Sequence, residues 1–160
     1  MSLIIKPRSE IQTARSGLPS IFLAGSIDQG AAENWQDRIE RELDEYDVTI
    51  FNPRRDNWKP DLKQDISEPE FAYQVNWELD NLAKVDLIFI YFAPTGPAPI
   101  TLMELGMQRG RRSDQIIVCC PDGYWRKGNV QIMCHREGWQ LFDELDSAIN
   151  KLKSELSEYR

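Results

Sequence analysis

The run Leu87-Ile88-Phe89-Ile90-Tyr91-Phe92 constrains this chain more than any other feature. A strand apolar on both faces must be covered on both, which places it at the centre of a sheet between two layers of helices. Shorter runs repeat the theme. Ser20–Ala24 ends at Gly25-Ser26, Val48–Phe51 stops at Asn52-Pro53, and Gln115–Cys120 runs into a turn-rich loop, Pro121–Gly128. Between these runs, apolar residues recur at helical spacing: Ala32, Trp35, Ile39, Leu43 and Tyr46, then Phe71, Val75, Leu79 and Leu82. Leu145, Ala148, Ile149, Leu152 and Leu156 form a closing helix, and Pro99 suits the first position of a helix running to about Arg112. Asn129–Arg136 reads as a short helix or another strand, and Trp139–Phe142 as an edge strand. Residues 4–19, with Pro7, Gly17 and Pro19, read as an irregular arm. The expectation is an N-terminal arm over 1–19 and one α/β domain over 20–160. That domain holds a mostly parallel sheet of about five strands with helices on both faces.

Composition narrows the chemistry. At 160 residues with 41% apolar and 28% charged side chains, the chain can bury a core of its own. Its net charge of -7 argues against general binding to nucleic acid. No apolar run is long enough to span a membrane, and the start of the chain carries no long apolar leader. The three cysteines, Cys119, Cys120 and Cys134, are an odd number without a C-x-x-C pair, so buried thiols in a cytoplasmic protein are expected. His135 is the only histidine, which removes the usual zinc sites and the Ser-His-Asp and Cys-His constellations. Any chemistry must run mainly on carboxylates.

Ligands of such folds bind at the carboxyl ends of the strands. That rule selects the loops 25–29, 52–58, 93–101 and 121–128. In the first, Gly25, Ser26 and Asp28 open a helix without the glycine spacing of a dinucleotide or phosphate loop. In the second, Asn52, Arg54, Arg55 and Trp58 offer an amide, two guanidinium groups and an aromatic ring for a planar or anionic group. Asp122–Lys127 is a second aromatic-basic loop. Glu104 lies early in the Pro99 helix, where the dipole favours an ionised carboxylate. Ile100, Met103 and Met107 are expected to pack inward, with Thr101, Glu104 and Gln108 on a neighbouring polar face. On the preceding helix, Gln74 and Glu78 border a face centred on Val75 and Leu79, where partial desolvation suits a general acid. Trp77 falls on the outer face, for a subunit contact or cover by the 52–69 loop.

The ordered set Ile21-Phe22-Leu23-Ala24-Gly25-Ser26-Ile27, Asn52-Pro53-Arg54-Arg55, Gln74-Val75-Asn76-Trp77-Glu78 and Glu104-Leu105-Gly106 resembles the nucleoside 2-deoxyribosyltransferase-like family, over about residues 20–150. The resemblance implies a flavodoxin-like, Rossmann-like fold and cleavage or transfer at the N-glycosidic bond of a 2′-deoxyribonucleoside-like substrate. It implies Glu104 as the nucleophile, forming a glycosyl-enzyme, and Glu78 as the acid that protonates the leaving base. Gly25, Ser26, Asp28, Asn52, Arg54, Trp58, Gln74 and Thr101 are the candidate substrate-binding residues. No cofactor or metal is implied. The implied partners are a small-molecule nucleoside or nucleobase and further copies of the chain, in a homo-oligomer with shared active sites. Phe22 stands where members often carry a tyrosine, and Ala98 where a polar group commonly helps hold the sugar. These two positions support the alternative, a non-catalytic nucleotide- or nucleoside-sensing module.

Overall fold

The computed structural model describes residues 1–27 and 34–159. Six parallel strands form one sheet: β1 (Leu3–Ile5), β2 (Ser20–Gly25), β3 (Thr49–Phe51), β4 (Leu87–Tyr91), β5 (Ile116–Cys119) and β6 (Leu141–Phe142). Their spatial order is β1-β3-β2-β4-β5-β6. The described helices are α1 (Trp35–Glu42), α2 (Pro69–Lys84), α3 (Pro99–Met107), α4 (Lys127–Glu137) and α5 (Leu145–Glu158). The chain is thus α/β, with six strands where the sequence suggested about five. The added strand lies in the N-terminal segment. Leu3, Ile4 and Ile5 pair with Thr49, Ile50 and Phe51, so the arm is not wholly irregular. A run this short signals little by itself; the exposed edge of β3 supplies its backbone partners.

The pleat sorts side chains into two cores. Ile21, Leu23, Leu87, Phe89, Ile117 and Cys119 point to one face, where Trp35 and Ile39 of α1 and Ala148, Ile149 and Leu152 of α5 cover them. Phe22, Ala24, Ile88, Ile90, Phe92 and Val118 point to the other, under Trp77 and Leu82 of α2, Leu105 of α3, and Val130 and Cys134 of α4. The three cysteines are free and buried, and burial pushes their thiols up to about 12, 11 and 12 for Cys119, Cys120 and Cys134. The segment 129–136 resolves as helix within α4, and 141–142 as the edge strand. No described helix is long and apolar enough to cross a membrane.

Two helices present faces that periodicity did not foresee. On α2 the buried residues are Gln74, Trp77, Asn81 and Leu82, whereas Val75 and Leu79 are half-buried. Trp77 is therefore inside, not outside. Its ring stands 6.0 Å from Phe22 and 6.2 Å from Phe51, and its Nε1 donates to Gln12 Oε1 at 2.7 Å. The N-terminal arm, not the 52–69 loop, supplies that cover. On α3 the inversion is sharper. Thr101, Glu104 and Leu105 are buried, while Ile100, Met103 and Met107 are 58%, 49% and 50% exposed.

Candidate active site

In this strand order β2 and β4 are neighbours, yet the chain leaves them in opposite directions, to β3 and to β5. The crevice above their carboxyl ends is the place where doubly wound sheets bind ligands. Gly25 closes β2 there. A Cβ on it would lie 2.3 Å from the Tyr91 carbonyl oxygen and 2.7 Å from Trp35 Cζ2, so only glycine lets β2 and α1 approach so closely. Ser26 then fastens the crevice floor. Its backbone N–H donates to the Tyr91 carbonyl at 3.0 Å, and its Oγ accepts from the Ala93 N–H at 2.9 Å. Its own carbonyl accepts from Trp35 Nε1 at 3.0 Å. Both Gly25 and Ser26 thus shape the backbone at the switch point. Asp28 lies outside the described residues.

The 52–55 turn reaches in two directions. Asn52 is buried, donates to Glu40 Oε1 at 2.6 Å, and accepts from the Arg54 backbone N–H at 3.0 Å. Arg54 points to α1, donating to Gln36 Oε1 at 3.4 Å. Arg55 points to α2, donating to Glu70 Oε1 at 2.6 Å and to Gln74 Oε1 at 3.4 Å. Gln74 Nε2 donates to the Pro53 carbonyl at 3.0 Å, so its polar atoms tie the turn to α2. The half-buried Trp58 ring lies 5.3 Å from the Arg55 guanidinium. Residues 52–68 hold no strand or helix, as their prolines and charges suggested.

Glu78 of α2 lies close enough to Glu104 of α3 to sense its charge. Glu104 is 5% exposed and Glu78 half-buried, and no cation lies within ion-pair distance of either among the described residues. Burial raises the Glu78 carboxyl to about 8, helped by the negative charge of Glu104 and opposed by a hydrogen bond from Gln74. Burial alone raises Glu104 to about 7. Desolvation therefore overrides the early-helix dipole that was expected to favour the ionised form. Two carboxyl groups that sense each other's charge, both raised by desolvation, can divide the roles of base or nucleophile and acid. Thr101 lies buried one turn before Glu104.

The family model described as nucleoside 2-deoxyribosyltransferase like matches residues 18–124. The chain belongs to that family. The match runs from just before β2 to the loop after β5, so it contains Gly25, Ser26, the 52–55 turn, Glu78 and Glu104, and omits β1, α4, β6 and α5. No curated protein matches the chain.

Two other loops complete the family domain's carboxyl edge. Tyr124 Oη and Trp125 Nε1 both donate to the Pro97 carbonyl, at 2.8 and 3.0 Å. They pin the 93–98 loop, which enters α3 through Ala98 in the left-handed region at φ 41°. A hollow of about 390 Å³ lies beside Pro94–Pro97 and Trp125. A larger one, about 520 Å³, opens between the far ends of α2 and α3. It contains no carboxylate, and its Arg111 is spent on the Leu82 and Val85 carbonyls at 3.0 and 3.3 Å. Among the described residues no group of three His, Cys, Asp or Glu side chains is placed to hold a metal. The sequence reading missed Gln36, fully buried on α1 against Arg54; its spacing of four from Glu40 was the available signal.

Proposed function

We propose that this protein cleaves the N-glycosidic bond of a 2′-deoxyribonucleoside-like substrate, passing the sugar to a second base or to water. In the first step a Glu104 carboxylate oxygen bonds to C1′. The C1′–N bond breaks, its electron pair leaves with the base, and the base takes the proton of Glu78. In the second step the ionised Glu78 removes a proton from the incoming base or water as that acceptor bonds to C1′, and Glu104 leaves as the carboxylate. This is the division of labour of retaining glycoside hydrolysis. The observation that carries the reading is a pair of desolvated carboxyl groups, Glu104 buried and Glu78 half-buried, within range of each other's charge and with no cation at ion-pair distance among the described residues. Desolvation supports it, because both carboxyls are raised towards neutral pH, where the pair can hold one proton for the leaving base while the other group is ionised.

The exposed row Ile100, Met103 and Met107 on α3, with half-buried Val75 and Leu79 on α2, supports assembly with further copies of the chain beside this site. The second reading, a nucleoside or nucleotide sensor without turnover, is favoured by Phe22, which is fully buried against Trp77 and offers no hydroxyl to orient Glu104. Incubation with a panel of deoxynucleosides and a second free base separates the readings by chromatography. Exchange or release of base supports the enzyme; calorimetric binding with intact nucleoside supports the sensor.

A further inference from the structure

The two adjacent arginines of the 52–55 turn are treated differently by the fold. Arg55 is neutralised by Glu70, which also meets Arg8 at 3.1 Å. Arg54, half-buried, has no carboxylate within ion-pair distance among the described residues, although the chain is acidic overall. Its side chain makes one described hydrogen bond, the 3.4 Å contact to Gln36 Oε1, at the long end of the range. The nearby Glu40 carboxylate is engaged by Asn52 at 2.6 Å. Gln36 itself is fully buried, and its Nε2 has no hydrogen-bond partner among the described residues. A buried amide donor without an acceptor is costly, and native folds rarely keep one without a use. The alternative amide orientation would put two donors face to face, so the contact with Arg54 fixes Nε2 as the unpartnered atom.

We propose that Arg54 and Gln36 form a receptor for an oxyanion, a phosphate or carboxylate group carried by the small molecule that enters the crevice. Arg54 supplies the charge and two parallel N–H donors, and its weak hold on Gln36 lets the guanidinium turn onto the ligand. Gln36 Nε2 then donates to a further ligand oxygen and gains the acceptor it lacks. Gln36 sits on the first turn of α1, whose Trp35 is tied to Ser26, so the receptor flanks the crevice floor. The proposal deepens the glycosidic reading and rests on it only for what the rest of the ligand undergoes.

Titration calorimetry with inorganic phosphate and with acetate tests the receptor without any need for turnover. Wild-type protein is expected to bind at least one of the anions, and Arg54→Met and Gln36→Leu each to weaken that binding by about tenfold or more. Gln36→Leu removes an unsatisfied donor, so its Tm should equal or exceed the wild-type value; lost binding is then not lost folding. Tighter phosphate than acetate identifies a phosphate ester as the ligand group, and the reverse identifies a carboxylate. Absence of binding to either anion, or unchanged affinity in Gln36→Leu, overturns the proposal. Because neither measurement depends on catalysis, a Glu104→Gln variant that retains turnover would refute the glycosidic reading and leave the receptor standing.

Discussion

The two faces of the sheet obey different rules. On the α1–α5 face, Trp35, Ile39, Ala148, Ile149, Leu152 and Leu156 recur at helical spacing and all are buried. On the α2–α3 face, Ile100, Met103 and Met107 recur just as regularly, yet they are exposed, and Thr101, Glu104 and Gln108 are inside. A helix that turns polar groups inward loses apolar burial of roughly 25 cal/mol per Å² and must satisfy or tolerate what it buries. The first face is built for stability and the second departs from it at the carboxyl pair.

The largest test of that contrast pairs one substitution from each face. Glu104→Gln should lower kcat by more than about ten-thousand-fold, because in the proposed reaction it deletes the attacking oxygen anion, while circular dichroism remains native. Leu152→Ala should do the reverse, costing about 2–5 kcal/mol in denaturant unfolding with little change in kcat of the folded fraction. If Glu104→Gln unfolds the protein and Leu152→Ala abolishes turnover, the division between the faces is wrong.

The same division governed what the sequence disclosed. Strands β2 to β5 were legible because their continuous apolar runs admit few alternatives, and Pro99 marked the start of α3. The half-buried border position of Glu78 was legible from its helix, but the burial of Glu104 was not. Hydrophobic periodicity assumes that the apolar face goes inward, and α3 does the opposite. Trp77 was misplaced for a related reason: the stripe of Val75 and Leu79 pointed away from the face that Phe22, Phe51 and Gln12 complete. Gln36 was invisible because an interior glutamine reads as a surface residue until Arg54 is placed beside it.

Acidity should sharpen the comparison next. Both carboxyls lie above their ordinary value of 4.5 in the folded protein, so the folded state holds protons that the unfolded state releases. Their contribution to stability is complete below about 4.5 and is lost as pH rises through about 7 for Glu104 and about 8 for Glu78. Tm should therefore fall between about pH 5 and pH 9, and Glu78→Gln should flatten that fall by removing one release. An equally steep fall in the variant would show that Glu78 is not shielded. At low substrate, turnover should rise as one carboxyl ionises and decline as the second deprotonates, giving a narrow bell in kcat/KM between about 7 and about 8. Glu78→Gln should lose the alkaline limb and about 10²–10⁴ in rate.

A smaller effect is expected at the outward row of α3. Met103 is 49% exposed, so Met103→Glu should change monomer stability by no more than about 0.5 kcal/mol. If copies of the chain cover this row, the variant should shift the mass in light scattering towards the monomer. An unchanged mass would mean that the row is simply solvated.

The most local effect separates packing from hydrogen bonding at Trp77. Trp77→Phe keeps an aromatic ring between Phe22 and Phe51 but removes the donor to Gln12. Loss of that bond should cost about 0.5–1.5 kcal/mol, plus a smaller amount for the lost ring volume. The cost should fall on the arm rather than on the domain. Gln12 is held at that point by Trp77 and, through its Nε2, by the Lys6 and Ser9 carbonyls, at 2.9 and 2.8 Å. Amide exchange should therefore quicken in residues 6–15 while β4 and β5 remain protected. Faster exchange throughout the sheet would mean that the arm belongs to the cooperative core, and that β1 does more than extend the sheet's edge.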